Sequence, residues 1–145
     1  MRDGLTTPSR SALALADVVH GAFAARNRRD IDAMLDAFTD DIEYAIQGAV
    51  AGRPIVPVIH GKTALRGFLS GFLHRWDWND LRITNVIITA GFAVVESDGS
   101  FLHCVSGQRF DTTSCDVLEF RDGKIAKIRC YSDTFTIVRV AGLAM

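Results

Sequence analysis

The chain has 145 residues, 48% hydrophobic and 23% charged, with a formal net charge of −1 at pH 7. That balance predicts one water-facing domain over residues 1–145, with a core large enough to need no staples. It argues against a nucleic-acid partner, which needs clustered cations, and against a membrane span, because no apolar run approaches ~20 residues. The densest basic spot, Arg26, Arg28 and Arg29, falls where a helix should end, and cations there complement the helix dipole.

In chain order, residues 1–8 read as a loose leader without a long apolar stretch behind it, which points to a cytoplasmic chain. Ser9 or Ser11 can cap a helix over about 9–26, where Leu13, Ala16, Val19 and Ala22 or Phe23 recur at helical spacing. Asp30 caps a second helix with the stripe Ile31, Met34, Leu35 and Phe38. Asp40-Asp41 is expected to end it and lead into a strand over 42–47. The segment 48–60, with two glycines and Pro54 and Pro57, reads as a loop or flap. A third helix follows Gly61 through Leu65, Phe68, Leu69 and Phe72.

From Trp76 onward strands are expected over 81–89, 92–96, 101–105, 109–120 and 125–132, punctuated by Ala90-Gly91, Asp98-Gly99, Ser106-Gly107 and Asp122-Gly123. Helices followed by strands make an α+β fold. An apolar tail, 134–145, could cap a pocket or extend a dimer contact. The three cysteines, Cys104, Cys115 and Cys130, lack CxxC spacing and read as small buried residues. The four histidines have no ligand-like spacing, so neither metal nor cofactor is expected.

Asp116 is the candidate that carries chemistry. It alternates with Leu118 and Phe120 on one face of a strand, and a carboxylate on an apolar face is where acid–base chemistry tends to sit. If Ser106-Gly107 turns the hairpin, Glu96 lies roughly opposite, and two facing carboxylates cannot both ionise easily. His103, near the rim of the same sheet, is of the residue type suited to proton transfer. Trp76 and Trp78 can wall a pocket or a dimer interface. The structural alternatives are that the carboxylates only close the fold and that the aromatics only fill its core.

Three segments in order carry a resemblance: RRDIDAMLDAFTDDIEY (28–44), IHGKTALRGFL (59–69) and CDVLEFRDGKIAKIRCYSD (115–133). Together they resemble the SnoaL-like, or nuclear transport factor 2-like, superfamily, which includes ketosteroid isomerase, scytalone dehydratase, limonene epoxide hydrolase and polyketide cyclases. The resemblance implies a cone-shaped roll: three N-terminal helices on a strongly curved, mixed, mostly antiparallel sheet, with a pocket at the wide end. It also implies homodimers through the sheet. Against ketosteroid isomerase, Asp116 matches the acid that stays protonated and donates to an oxyanion. The tyrosine position falls on Ala22 and the proton-shuttle position on or near Ile46. Against limonene epoxide hydrolase, Tyr44 and Asp133 match, while Ile46, Ser97 and Gly99 replace the asparagine and the Arg-x-Asp pair. The site expected from residues and resemblance together is Asp116, Glu96, His103 and Tyr44, in a pocket lined by Trp76, Trp78, Ile46, Phe92, Leu118, Cys130, Phe23 and Phe68. The implied function is a cofactor-free isomerase- or lyase-type enzyme on an apolar, polycyclic or polyketide-like molecule. A ligand-binding domain without turnover and a dimerising interaction module remain open.

Overall fold

The computed structural model describes residues 9–78 and 80–142; the expected leader and the last three residues of the tail lie outside that range. Among the described residues four helices and nine strands follow one another: α1 (Arg10–Asn27), α2 (Ile31–Asp36), β1 (Phe38–Ile46), β2 (Ala49–Val50), β3 (Arg53–Pro54), β4 (Ile59–His60), α3 (Lys62–Arg75), β5 (Trp76–Asp77), β6 (Arg82–Thr89), β7 (Phe92–His103), β8 (Gln108–Arg121), β9 (Lys124–Ser132) and α4 (Thr134–Val140). The α+β class stands. The helix count rises by one because the apolar tail forms α4, capped by the Asp133 side chain, which accepts from the Thr136 amide.

Local chemistry accounts for the helix starts. Ser9 accepts from the Ala12 amide and Asp30 from the Ala33 amide. Between α1 and α2 the chain reverses through Arg29, whose φ is 61°. Its guanidinium donates to the Leu73 carbonyl at the end of α3. One expected boundary moves, and two expected burials do not hold. β1 begins at Phe38, so Asp40-Asp41 lies within a strand instead of ending a helix. There Asp41 pairs with Arg121. Leu13 is exposed, because only the second half of α1 packs down, through Val19, Ala22 and Ala25. Cys104 is exposed and Cys115 and Cys130 are only partly buried, against the expectation that all three cysteines are buried.

The main sheet runs β4-β1-β9-β8-β7-β5, with β6 also on β7. β1 and β9 are parallel, and the other pairs are antiparallel. Bulges interrupt the register at Glu119/Phe120, Phe38/Glu43 and Ile83/Asn85, and bulges bend the strands that carry them. The flap contains the short β2–β3 ladder and, through β4, an edge strand on β1. The inner face of the sheet packs against α1, α2 and α3 through Val19, Leu35, Leu69, Val95 and Leu118. A second cluster, around Trp76, Trp78, Phe101 and Val140, lies toward β5 and α4.

The two strands expected over 92–96 and 101–105 are one, and Asp98-Gly99 is not a turn. Gly99 is needed for close approach instead. Its φ is 151°, and a Cβ there would sit 2.4 Å from the Asp80 carbonyl oxygen. Gly99→Ala is therefore expected to lower the unfolding free energy by roughly 2–4 kcal/mol, read from urea denaturation. A loss below about 0.5 kcal/mol would show that the crossing chain yields freely.

Candidate active site

Strand parity decides which side chains meet. Across the sheet, Ile46, Cys130, Asp116 and Val95 form one row on the inner face. Tyr44, Ile128, Leu118 and Ala93 form the next row in one direction. Ser132, Ser114 and Ser97 form the next in the other, and the Ser114 and Ser97 hydroxyls are 2.7 Å apart. Asp116 is only 5% exposed. It borders a cavity of about 650 Å³ and a small floor chamber of about 50 Å³. Tyr44 borders both spaces as well.

Burial dominates the electrostatics of this floor. It pushes the Asp116 carboxyl above the usual carboxylate range, more than Arg26 and the Cys130 thiol pull it back. Burial likewise drives the Tyr44 hydroxyl and the Cys130 thiol well above their ordinary values, and the neighbouring Asp116 adds to both shifts. Each group is thus biased toward its neutral form.

Arg26 is the member that the sequence reading passed over. Its sequence position groups it with Arg28 and Arg29 as a helix-end cation, but the three diverge. Arg28 stays exposed and Arg29 reaches α3. Arg26 continues the buried stripe Val19–Ala22 by one more turn and borders both the cavity and the floor chamber. Its Nε and Nη2 atoms are withdrawn from solvent and have no hydrogen-bond partner. The guanidinium lies 4.3 Å from the centre of the Phe23 ring and 5.8 Å from that of Trp78. Burial lowers its pKa despite the opposing pull of Asp116, Tyr44 and Cys130.

The remaining expected residues divide. Trp76, Trp78, Ile46, Cys130 and Phe68 line the main cavity, and Phe23 and Leu118 the floor chamber. His103 lines the cavity too. It is buried, its ring centre is 4.6 Å from that of Trp76, and its Nδ1 is 2.8 Å from the Ser106 hydroxyl. Glu96 is not in the site. It pairs with Cys115, faces outward, and accepts a 3.0 Å hydrogen bond from Asn85. Phe92 is also a correction: it is 42% exposed and pairs with Glu119 on the outer face. The expected Glu96–Asp116 dyad therefore does not exist, and the oppositely charged group coupled to Asp116 is Arg26.

Aromatic rings wall the space above the floor. Phe68 and Phe72 are 5.6 Å apart, Phe72 and Trp78 4.6 Å, and Trp76 meets Phe101 edge-on. The flap contributes Ile55 and Val56, and α4 contributes Ile137. Flap and tail meet at Gly48, where a Cβ would lie 2.8 Å from Thr134 Cγ2 and 2.9 Å from Ile55 Cδ1. Among the described residues no cluster of His, Cys, Asp and Glu is placed to hold a metal ion.

The sequence profile of the SnoaL-like domain matches residues 19–128. The chain belongs to the SnoaL-like family. No curated protein matches it by sequence. Solved structures share its fold, which is nuclear transport factor 2-like. A nuclear transport factor 2-like protein from Burkholderia pseudomallei is 18% identical, with a TM-score of 0.76 over 88% of this chain and 96% of that one. A ketosteroid isomerase-like protein from Erwinia carotovora atroseptica is 18% identical, with a TM-score of 0.67 over 87% and 98%. TerC, co-crystallised with polyporic acid, is 16% identical, with a TM-score of 0.75 over 89% and 98%. No helix among the described residues is long and apolar enough to cross a membrane.

The raised Asp116 pKa makes the stability of this SnoaL-like domain pH-dependent. The folded chain holds the Asp116 proton more tightly than the unfolded one. The group's contribution is therefore fully present below the unfolded pKa of ~3.9 and is lost as pH rises through the raised folded value. Asp116→Asn cannot ionise. Its urea midpoint is expected to separate from wild type, with the variant the more stable, as pH is raised from acid toward neutral. Parallel midpoint–pH profiles would contradict the placement of this carboxyl.

Proposed function

We propose that the protein is a cofactor-free acid–base enzyme of the isomerase or lyase type, acting on an apolar small molecule with a polarisable oxygen. The observation that carries this reading is Asp116: a carboxyl on the floor of an aromatic-walled cavity, with a pKa raised by burial. A carboxylic acid kept protonated to higher pH can donate to a carbonyl oxygen as negative charge develops there. Arg26 and Tyr44 border the same floor and would stabilise that oxygen. His103 lines the cavity with Nδ1 engaged by Ser106, so Nε2 is the nitrogen left to exchange a proton with a ligand. Ala22 and Ile46, which stand where ketosteroid isomerase has its tyrosine and proton shuttle, make the usual steroid route unsuitable. The cavity volume lies within the range of small-molecule sites. Ile87, Phe92 and Tyr131, exposed on the outer face of the sheet, support the expected pairing of two copies.

The second reading, a binding domain without turnover, draws on the same apolar replacements at Ala22 and Ile46. A substrate-independent assay separates the two: exchange of α-carbon protons of bicyclic ketones into D₂O, followed by NMR. The enzyme reading expects accelerated exchange, reduced about 100-fold or more in Asp116→Asn with the fold retained. Exchange that survives that change unaltered removes Asp116 from the chemistry. No exchange alongside ligand affinity retained in Asp116→Asn favours the binder.

A further inference from the structure

The acid–base reading assigns Arg26 a supporting part and leaves the energetics of its burial unexplained. Guanidinium donors withdrawn from water oppose folding unless they are met, and here the buried Nε and Nη2 meet no acceptor. Its aromatic neighbours, Phe23 and Trp78, offset part of that cost through their ring faces. The carboxyl coupled to it, Asp116, shares that burial, which raises its pKa, and forms no salt bridge with the guanidinium. Tyr44 and Cys130 are held neutral and add no counter-charge. The rings of Phe68, Phe72, Trp76 and Trp78 line the same cavity that Arg26 borders. An unpaired cation bordering a cavity lined by aromatic rings matches one class of ligand.

We infer that the cavity takes a planar conjugated molecule bearing an acidic oxygen group, carboxylate or enolate, and that Arg26 receives that group at the cavity floor. The inference rests on the proposed pocket and narrows its ligand. The ligand supplies the acceptor that the fold withholds, and a charge-assisted hydrogen bond in a dry site is among the stronger ones available. The aromatic walls supply the apolar contact. A neutral ligand of the same shape gains the second term and forfeits the first.

The test is isothermal titration of the full chain with acid and neutral pairs of graded size. The pairs are benzoate and benzamide, 2-naphthoate and 2-naphthamide, and anthracene-2-carboxylate and its amide. A second series, 2-hydroxy-1,4-naphthoquinone against its methyl ether, separates enolate from carboxylate recognition. In at least one ring size or series the anion is expected to bind about tenfold or more tightly than its neutral partner. Arg26→Met should abolish that preference while retaining affinity for the neutral compound, and Arg26→Lys should keep part of it. Because the buried donor is removed, Arg26→Met should also melt no lower than wild type. Equal or weaker binding of every anion, no binding of any anion at millimolar concentration, or a preference that survives in Arg26→Met overturns the inference. If Arg26→Met does not fold, the wild-type ratio still decides. Asp116→Asn should keep the preference for anions, so loss of the catalytic reading and loss of this one give different results.

Discussion

Two ionisable groups, Arg26 near the end of α1 and Asp116 in the middle of β8, are withdrawn from water into one apolar floor without forming a salt bridge with each other. Neither arrangement helps the fold. A buried charge without a partner opposes folding, and so does a carboxyl that must give up its hydration. The surrounding apolar core has to overcome both. Val19, Ala22 and Ala25 press α1 onto the sheet, while Leu35, Leu65 and Leu69 close the other side with almost no exposed surface. The last turn of α1 is further fixed by Arg29 on the Leu73 carbonyl, and by Asn27, which donates 2.7 Å to the Leu81 carbonyl. Arg26 is thereby held at its depth by contacts that its neighbours make.

The same geometry explains why the chemistry is confined to one face of the sheet. β7 and β8 pair without a break over twelve residues each, so inner and outer sets alternate strictly. The inner set runs from apolar Ala93 and Leu118 through Asp116 and the serine row to Phe101 and His103. Asp116 and the serine row thus lie between the apolar pairs of the main core and the aromatic cluster around Phe101. Local energetics and function pull apart at Arg26, Asp116 and Gly99, each of which breaks a local rule for the sake of the site or of a chain crossing.

Much of the fold is legible in the sequence because short-range chemistry fixes it. Ser9 and Asp30 mark their helix starts through side-chain oxygens that cap them, and Asp122-Gly123 turns β8 into β9. Asp98-Gly99 misled because an Asp-Gly pair has the same local preference in a turn as at a mid-strand glycine made necessary by a distant chain, Asp80. The site was half legible. Asp116 is visible as a charge on an apolar strand face. Glu96 could have been set aside by parity alone: a two- or four-residue turn near Ser106 places an even-numbered residue of β7 opposite an odd-numbered residue of β8, so Glu96 and Asp116 take opposite faces. Arg26 also left a signal, because Val19, Ala22, Phe23 and Arg26 share one helical face at spacings of three, four and seven. Its position near a helix end offered a simpler electrostatic explanation, and only the depth of packing against Trp78 decides between them.

The measurement that tests the central claim most directly is a ¹³C NMR titration of the Asp116 carboxyl in the ligand-free protein, assigned by its loss in Asp116→Asn and repeated in Arg26→Met. The account predicts a midpoint clearly above the ordinary carboxylate value of ~3.9. It also predicts a further upward movement in Arg26→Met, because Arg26 is the group that opposes the effect of burial. An ordinary midpoint, unmoved by removal of Arg26, would mean that the two groups do not share a dry floor, and the reading of the site would fail with it.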